Sequence, residues 1–400
     1  MRENWTYKKL GEVATFKRGL TYSGKDEVSF SENVVLRSNN IDLATNALNL
    51  DELKYISSDI CIPEDKKLKA DSIFMCMSNG SKQHLGKVAF IEHDMSYAFG
   101  GFMGLIIPEK EKIYPKYLYF YFCSPQFKDV LSSIGNGANI NNIKFIDIAK
   151  YNIKTPSLSE QQAIVAELDK INELISLKKA QLSDLDALAQ SIFYDMFGDP
   201  IENEKRWEVK KLGEICEITS AKRVFIEEVV DSGVPFIRGT ELTTLSKLAR
   251  GEKMKYTLFI TKEHYERLKA ITGVPKVGDL LIPSINSEGI VWMVDTEEPL
   301  YFKDGRVLWV HVNKDEFISE ALQKTMNILI KNIFLSMNGA TFAELKLFVL
   351  RDLIVPKYPL TLQQDFAKRI ELIEQQKAQI SSTIKDLETL LASRMQYWFD

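Results

Sequence analysis

The sequence predicts an α+β protein built twice over: two similar heads of short-stranded sheets plus helices, each followed by one long helix, in a pseudo-two-fold arrangement. Three observations carry this. Trp5-Thr6-Tyr7-Lys8-Lys9-Leu10-Gly11-Glu12 returns as Trp207-Glu208-Val209-Lys210-Lys211-Leu212-Gly213-Glu214, an offset of 202 in a chain of 400 residues. Each copy ends in a long heptad run of apolar residues. Short apolar runs bounded by turn residues fill the space between. A repeat this long exceeds the ~20–50 residues of a solenoid or propeller unit, so each copy is a domain with an appendage.

The same offset aligns Asn136-Gly137-Ala138 with Asn338-Gly339-Ala340, Gln161-Gln162 with Gln363-Gln364, and Phe197 with Phe399. In the first head, residues 34–37, 72–77, 87–92 and 102–107 read as strands, and a helix follows Pro115 over 117–130. In the second, residues 234–238, 279–282, 290–294 and 307–310 repeat the strands, with a helix over 316–334. The middles of the heads have diverged far more than their ends, so the two heads are expected to recognise different things.

From Leu158 onward the apolar positions are Ile164, Leu168, Ile171, Ile175, Leu182, Leu185, Ala189, Ile192 and Met196, interrupted at Lys178. The second copy gives Phe366, Ile370, Ile373, Ile380, Ile384, Leu387 and Leu391, with Lys377 and Arg394 as polar interruptions. Alternating steps of four and three define a coiled-coil seam. Ser157, Ser159 and Thr361 stand where N-caps belong, and Pro156 and Pro359 mark the approach. A helix over 158–195 would be about 57 Å long. Such a stripe is narrower and longer than the face a globular domain buries, so the two helices are expected to pair with each other, as an antiparallel coiled coil, rather than each lying on its own head. The organisation is then head 1–157, helix 158–198, head 199–358 and helix 359–400.

Composition narrows the function. Lys and Arg number 51 against 55 Asp and Glu, a net charge of −4, so any nucleic-acid contact must come from local patches. Residues 156–199 carry 3 basic and 8 acidic groups, and the two heads hold 42 of the 51 basic residues. The cysteines, Cys61, Cys76, Cys123 and Cys216, form no C-x-x-C pair and read as packing thiols of a reducing compartment. No stretch reaches the ~18 apolar residues of a membrane span and the opening residues lack an apolar signal core, so the expectation is a cytoplasmic protein with no membrane partner. No phosphate-binding glycine loop, zinc motif or nucleophile elbow is present, and His84, His93, His264 and His311 are scattered. The expectation is a binding protein with no catalytic residue, no metal and no cofactor of its own.

Four sets of head residues suit DNA. Arg37 with Asn39 and Asn40, echoed by Arg238 and Thr240, offers the side chains that pair bidentately with guanine and adenine. Ser78, Asn79, Ser81 and Lys82, with Lys87 beyond, is echoed by Ser284, Asn286 and Ser287. Asn136 and Asn139 are echoed by Asn338 and Thr341. Lys8-Lys9 and Lys210-Lys211 suit phosphate positioning. Each set also has an ordinary explanation, as turn formers or solvated lysines.

These residues resemble a known family. The repeated W-x-x-K-K-L-G-E, the strand followed by Arg37 or Arg238, the two N-G-A segments, Pro156-Ser157-Leu158-Ser159-Glu160-Gln161-Gln162 opening a heptad helix, and Phe193-Tyr194-Asp195-Met196-Phe197-Gly198-Asp199 look like the specificity subunit of type I restriction-modification systems. The resemblance implies that each head is a target recognition domain reading half of a bipartite site in double-stranded DNA. It implies that the helices are conserved spacers setting the gap between half-sites. They would also dock two methylation subunits, which carry S-adenosylmethionine and methylate adenine. A restriction and translocation subunit using ATP and Mg would complete the complex. The second copy departs at Leu362, which stands in place of Glu160, and at Tyr358-Pro359 in place of Pro156-Ser157. The alternatives are a coiled-coil scaffold whose heads bind protein partners, and an enzyme without a recognisable motif.

Overall fold

The structure, a computed structural model, describes residues 5–134, 142–248, 252–336 and 344–400. It divides into two compact units, Met1–Ser176 with Lys385–Asp400, and Leu177–Ile384.

The first unit runs β1 (Thr6–Lys9), α1 (Leu10–Val13), β2 (Ala14–Arg18), β3 (Glu27–Val28), β4 (Asn33–Leu36), β5 (Lys54–Ile56), β6 (Ser72–Cys76), β7 (Val88–Ile91), β8 (Ala98–Phe99) and β9 (Met103–Pro108). Then come α2 (Pro115–Cys123), α3 (Pro125–Ile134), α4 (Phe145–Ile148), β10 (Asn152–Thr155) and the opening of α5 (Leu158–Phe197). One sheet has the order β2-β9-β6-β7, a second β3-β5-β4-β8, and β1 pairs antiparallel with β10. The residues alternate across β6: Ile73 and Met75 join the core that holds Tyr117, Leu118 and Leu168, whereas Phe74 and Cys76 join Leu36, Phe99 and Leu105 on the other face. A central strand covered on both faces has to be apolar throughout, and every residue of β6 is buried. The single helix expected over 117–130 is two, because Pro125 supplies no amide hydrogen to the first one and Ser124 Oγ accepts from Phe127 N to start the next.

The second unit holds the remainder of α5, then β11 (Val209–Lys211), α6 (Leu212–Ile215), β12 (Glu217–Ser220), β13 (Val234–Ile237), α7 (Gly239–Leu245), β14 (Phe259–Ile260) and α8 (Lys262–Thr272). It continues through β15 (Leu280–Pro283), β16 (Trp292–Met293), β17 (Tyr301–Phe302), β18 (Val307–His311), α9 (Ser319–Ser336), α10 (Leu347–Arg351), β19 (Ile354–Pro356) and the first part of α11 (Leu360–Phe399). Its main sheet, β12-β18-β15-β16, has the same order as β2-β9-β6-β7, and β14-β13-β17 stands for the second sheet. Both heads hold one parallel pair, β4 with β8 and β13 with β17. Here too Leu280 and Ile282 face one core while Leu281 faces the other with Val307 and Trp309. The duplication is one of topology as well as sequence.

α5 and α11 are 40 residues each, about 60 Å at 1.5 Å per residue. Every predicted seam position on them is buried or half-buried, while Leu174, Leu177, Leu188, Leu372 and Leu390, outside the seam, are exposed. In the second unit Asp186 pairs with Lys377 at 2.8 Å and Phe193 packs on Phe366, so α5 rises as α11 falls and the helices are antiparallel. In the first unit Arg394 forks onto both carboxylate oxygens of Glu167, which also accepts from Trp398 Nε1 at 3.2 Å. The polar interruptions Lys377 and Arg394 are thus each answered by an acid on α5.

Toward its end α5 departs from the predicted seam. Ile192 and Met196 are only partly buried, and the fully buried side chains are Phe193 and Phe197, against Tyr358 and Phe366. The end of α11 does the same in the first unit, where Phe399 lies on Tyr117 and Tyr121 and Trp398 stacks on Trp5. The repeated glutamines explain themselves. Gln161 Oε1 accepts from Tyr114 N and its Nε2 donates to Pro156 O, both at 2.8 Å; Gln363 makes the matching pair with Ile318 N and Tyr358 O. Ser157, one of the expected N-caps, forms a capping box with Glu160 at the start of α5. Among the described residues no helix is long and apolar enough to cross a membrane.

Phe399→Ala leaves a cavity among Tyr117, Tyr121 and α11, and is expected to lower unfolding free energy by about 3–5 kcal/mol, read by denaturant titration. The Arg394 fork holds the Glu167 carboxyl below the usual carboxylate range. A depressed acid stabilises the folded state above its unfolded pKa and loses that contribution as pH falls through the folded value. Glu167→Gln should therefore lower the melting temperature at neutral pH and flatten its decline below about pH 4.5.

Candidate nucleic-acid interface

In the first unit four strand ends meet at one corner. Gly100 N donates to Leu36 O at 2.9 Å, Leu20 N to Phe99 O at 2.7 Å, and Met77 N and Ser78 N both to Phe102 O at 3.0 Å. These bonds tie the ends of β2, β4 and β6 to the turn between β8 and β9. At Gly19 any Cβ would collide with the Gly100 carbonyl, so the close approach itself requires glycine.

Two of the predicted loops come together here. Asn79 Nδ2 donates to Ser38 Oγ at 3.1 Å, and Asn79 Oδ1 accepts from Ser81 N at 2.9 Å. Ser78 bridges Asn142. Arg37 leaves β4 with its side chain 39% exposed and Nη1 3.3 Å from Glu27 Oε1. Lys54, first, and Arg37 hold the Glu27 carboxyl below the usual range, so it remains an anion that orients the guanidinium. Asn39 is exposed on the same turn. Asn40 is not a surface reader: it is buried, its Oδ1 accepts from Arg37 N at 2.8 Å, and its Nδ2 donates to Asn49 O and Glu52 O. Lys87 is likewise a strut beneath the loops, buried, with Nζ 2.8 Å from Ile41 O. Asn136 and Asn139 lie outside the described residues, as does the side chain of Lys82.

The second unit repeats the corner. Lys303 N donates to Ile237 O, Ser284 N to Arg306 O and Gly305 N to Ser220 Oγ, each at 2.9 Å. Arg238 caps α7 with its guanidinium on Glu241, at 2.8 Å and 3.2 Å, and Thr240 Oγ1 donates to the same acid at 3.0 Å. Those donors, Arg238 first, hold the buried Glu241 carboxyl down at about 2. Arg238 itself stays 45% exposed. Ser287 and Thr240 are exposed. Ser284 and Asn286 are not readers of a surface: Ser284 is buried, and Asn286 closes its own loop by bonds to Ile290 O and N at 2.6 Å. Asn338 and Thr341 lie outside the described residues.

The lysine pairs lie elsewhere. Lys8 and Lys9 sit on β1, and Lys210 and Lys211 on β11, the two-stranded sheets that lead into the long helices. Lys211 is engaged by Asp352 at 2.8 Å and Lys210 lies 3.7 Å from Glu208. Reading the sequence also passed over corner residues. Arg18 ends β2, Phe102 stands on the β8–β9 turn with 73% exposure, and Arg223, its guanidinium 5.2 Å from the Phe225 ring, follows β12. Arg306 is exposed on the β17–β18 turn, 3.5 Å from Glu344. Arg18 and Arg223 shared one signal, a basic residue after the strand that follows the repeated motif. Each corner is a hydrogen-bonded backbone frame carrying arginines, hydroxyls and an exposed aromatic, with the Asn79 amide added in the first, side chains of the kinds that read base edges. Among the described residues no group of three His, Cys, Asp or Glu could hold a metal ion.

Comparison with known proteins bears on these corners. Residues 2–187 match the type I restriction modification DNA specificity domain. The chain is 31% identical over 186 residues to the StySPI specificity subunit of Salmonella potsdam, covering 46% of this chain and 39% of that protein. It is 27% identical over 210 residues to the EcoKI specificity subunit of Escherichia coli, covering 51% and 44%. The chain thus spans about two fifths of the length of these relatives. In fold it is similar to the S subunit of a type I restriction-modification system from M. genitalium, with TM-score 0.52 at 17% identity, over 99% of this chain and 96% of that one. It is also similar, with TM-score 0.58 at 16% identity over 98% and 97%, to a chain solved for the complex assembly and conformational transition of the type I R-M system. Residues 2–187 thus match the type I restriction modification DNA specificity domain in sequence, and the whole chain is similar in fold to these solved chains.

Proposed function

We propose that this chain is the DNA sequence-specificity subunit of a type I restriction-modification complex, itself non-catalytic. Each head reads one half of a bipartite site in double-stranded DNA, and the paired α5 and α11 serve as the spacer between half-sites. One observation carries the reading: the same backbone frame recurs in both heads with different side chains on it, Arg37, Asn79 and Phe102 in one and Arg238, Ser287 and Arg306 in the other. Two copies of one binding device with unlike surfaces suit a split word in DNA. The match to a DNA specificity domain favours this over a scaffold whose heads bind protein.

Several parts of the proposal rest on the family alone. Methylation subunits, two in number, and a restriction subunit dock on the chain, bringing S-adenosylmethionine, ATP and Mg with them, and the complex works in the cytoplasm. The domains are the heads 1–157 and 199–358 and the helices 158–198 and 359–400.

The carboxylates under the two arginines do not cancel their use. A guanidinium has five donors, so an acid that takes one or two edges fixes its plane and leaves the others for a base. Arg37→Ala is expected to relax one half-site by ~10–100-fold, and Arg238→Ala the other, the loss of one bidentate base contact in each case. Methylation-sensitive sequencing of a host carrying the chain with its methylation subunits reads both. Uniform loss across all sequences in both variants would mark these arginines as phosphate contacts and remove the residue assignment.

A further inference from the structure

The two corners are equivalent atom for atom along the backbone at one position that a fixed sequence offset conceals. Phe102 O accepts from Ser78 N, and Arg306 O accepts from Ser284 N. Two residues earlier Gly100 N donates to Leu36 O, three residues before Arg306 Lys303 N donates to Ile237 O, and each is followed by a turn bond, Met103 N to Gly100 O and Val307 N to Lys303 O. The offset is already 203 between Gly100 and Lys303, and the turn in the second head is one residue longer, so the counterpart of Phe102 is Arg306, whereas adding 202 leads to Asp304.

We propose that positions 102 and 306 are the matched base-reading positions of the two heads, an inference that rests on the DNA-specificity reading above. Phe102 packs its ring on a thymine methyl in one half-site, and Arg306 donates to a guanine edge in the other. Phe102 is held by its main chain, whose carbonyl accepts two hydrogen bonds, while its side chain is 73% exposed. A phenylalanine so exposed adds little to its own fold. Gly100, two residues before it, lies against Arg37, whose Cγ would be 3.7 Å from a Cβ built on that glycine, and the Phe102 carbonyl accepts from the amide of Ser78, the residue before Asn79. An exposed apolar side chain on the same corner as a guanidinium and an amide suits the base pair's one apolar major-groove feature, the thymine methyl. Arg306 is set in the same frame, with Glu344 at 3.5 Å on Nη1 and 51% of its side chain exposed. Lys346 is the chief cause that holds the Glu344 carboxyl charged, so Glu344 orients Arg306 as Glu241 orients Arg238. The heads then differ in kind at one place: one offers a methyl-packing surface, the other a bidentate donor.

The test is the methylated motif itself, sequenced from a host that expresses the chain with its methylation subunits. Phe102→Ala should relax one thymine in the half-site that Arg37→Ala also affects, by about tenfold or more, with the other half-site and the gap unchanged. Phe102→Leu, which keeps an apolar contact, should retain that thymine, and Arg306→Ala should relax one guanine in the other half-site. Both side chains are exposed, so the variants should melt with the parent. The proposal is overturned if Phe102→Ala and Arg306→Ala leave both half-sites as strict as before, or if they lower methylation evenly at every site, the behaviour of a phosphate-positioning contact. A parent chain that directs no split motif at all would overturn the specificity reading together with this one.

Discussion

Each unit's core is closed by an aromatic residue from the far end of a long helix. Phe193 and Phe197 end α5 within the second unit, and Phe399 ends α11 within the first. Fully burying such a side chain is worth roughly 1.5–3 kcal/mol, more than the ~0–1 kcal/mol of a half-exposed ion pair. The ion pairs Glu167–Arg394 and Asp186–Lys377 therefore refine a register that the aromatic ends already impose. Their use is discrimination. Slide α11 by one heptad in one direction and Arg394 faces Leu174 while Lys377 faces Phe193; slide it in the other and Lys377 faces Lys179. Only the observed register gives both cations an acid, and a partly buried cation without one is what costs free energy.

The corners depend on that closure indirectly. Gln161 and Gln363, buried at the first turn of each long helix, reach back to Tyr114 N and Ile318 N, the residues that lead into α2 and α9. α2 and α9 cover the outer face of the main sheets, and β6 and β15 in those sheets end at the corners. The path from helix to corner thus runs through buried glutamines, the covering helices and the central strands. A reader that must hold side chains to fractions of an ångström benefits from such support.

Periodicity made the long helices legible, since a 3.5-residue spacing leaves no other structure, and their limits followed from Pro156, Ser157 and Pro359. It failed at Ile192 and Met196, because the helix there packs on the head at Tyr358 as well as on its partner helix at Phe366, and the buried face turns by one residue to Phe193 and Phe197. The recurring Asn and Ser fall at the strand ends that form the corners, yet recurrence could not separate Asn79, which stands on the surface beside Ser38, from Asn40 and Asn286, whose amides are consumed by their own turns. Composition gives the same letter for both tasks. Phe102 and Arg306 escaped notice for a different reason: they lie two residues out of the repeat's alignment, one of them from the longer turn, and only the hydrogen bonds of Ser78 and Ser284 restore it.

The division between frame and surface explains how one duplicated fold accommodates two readings. The bonds that define each corner run between main-chain atoms, which every residue except proline supplies, so they place a Cα without dictating what grows from it. Exposed substitutions away from caps and buried partners change stability by only about 0.5 kcal/mol, so Phe at 102 and Arg at 306 are nearly equivalent for folding. They differ sharply for a duplex, where a methyl and a pair of acceptors demand opposite partners. Divergence is therefore cheapest where it alters recognition most. The arginines are the exception that fits: Arg37 and Arg238 each cap a turn by a main-chain N–H to a side-chain acceptor, Asn40 or Glu241, and that cap does not depend on the guanidinium.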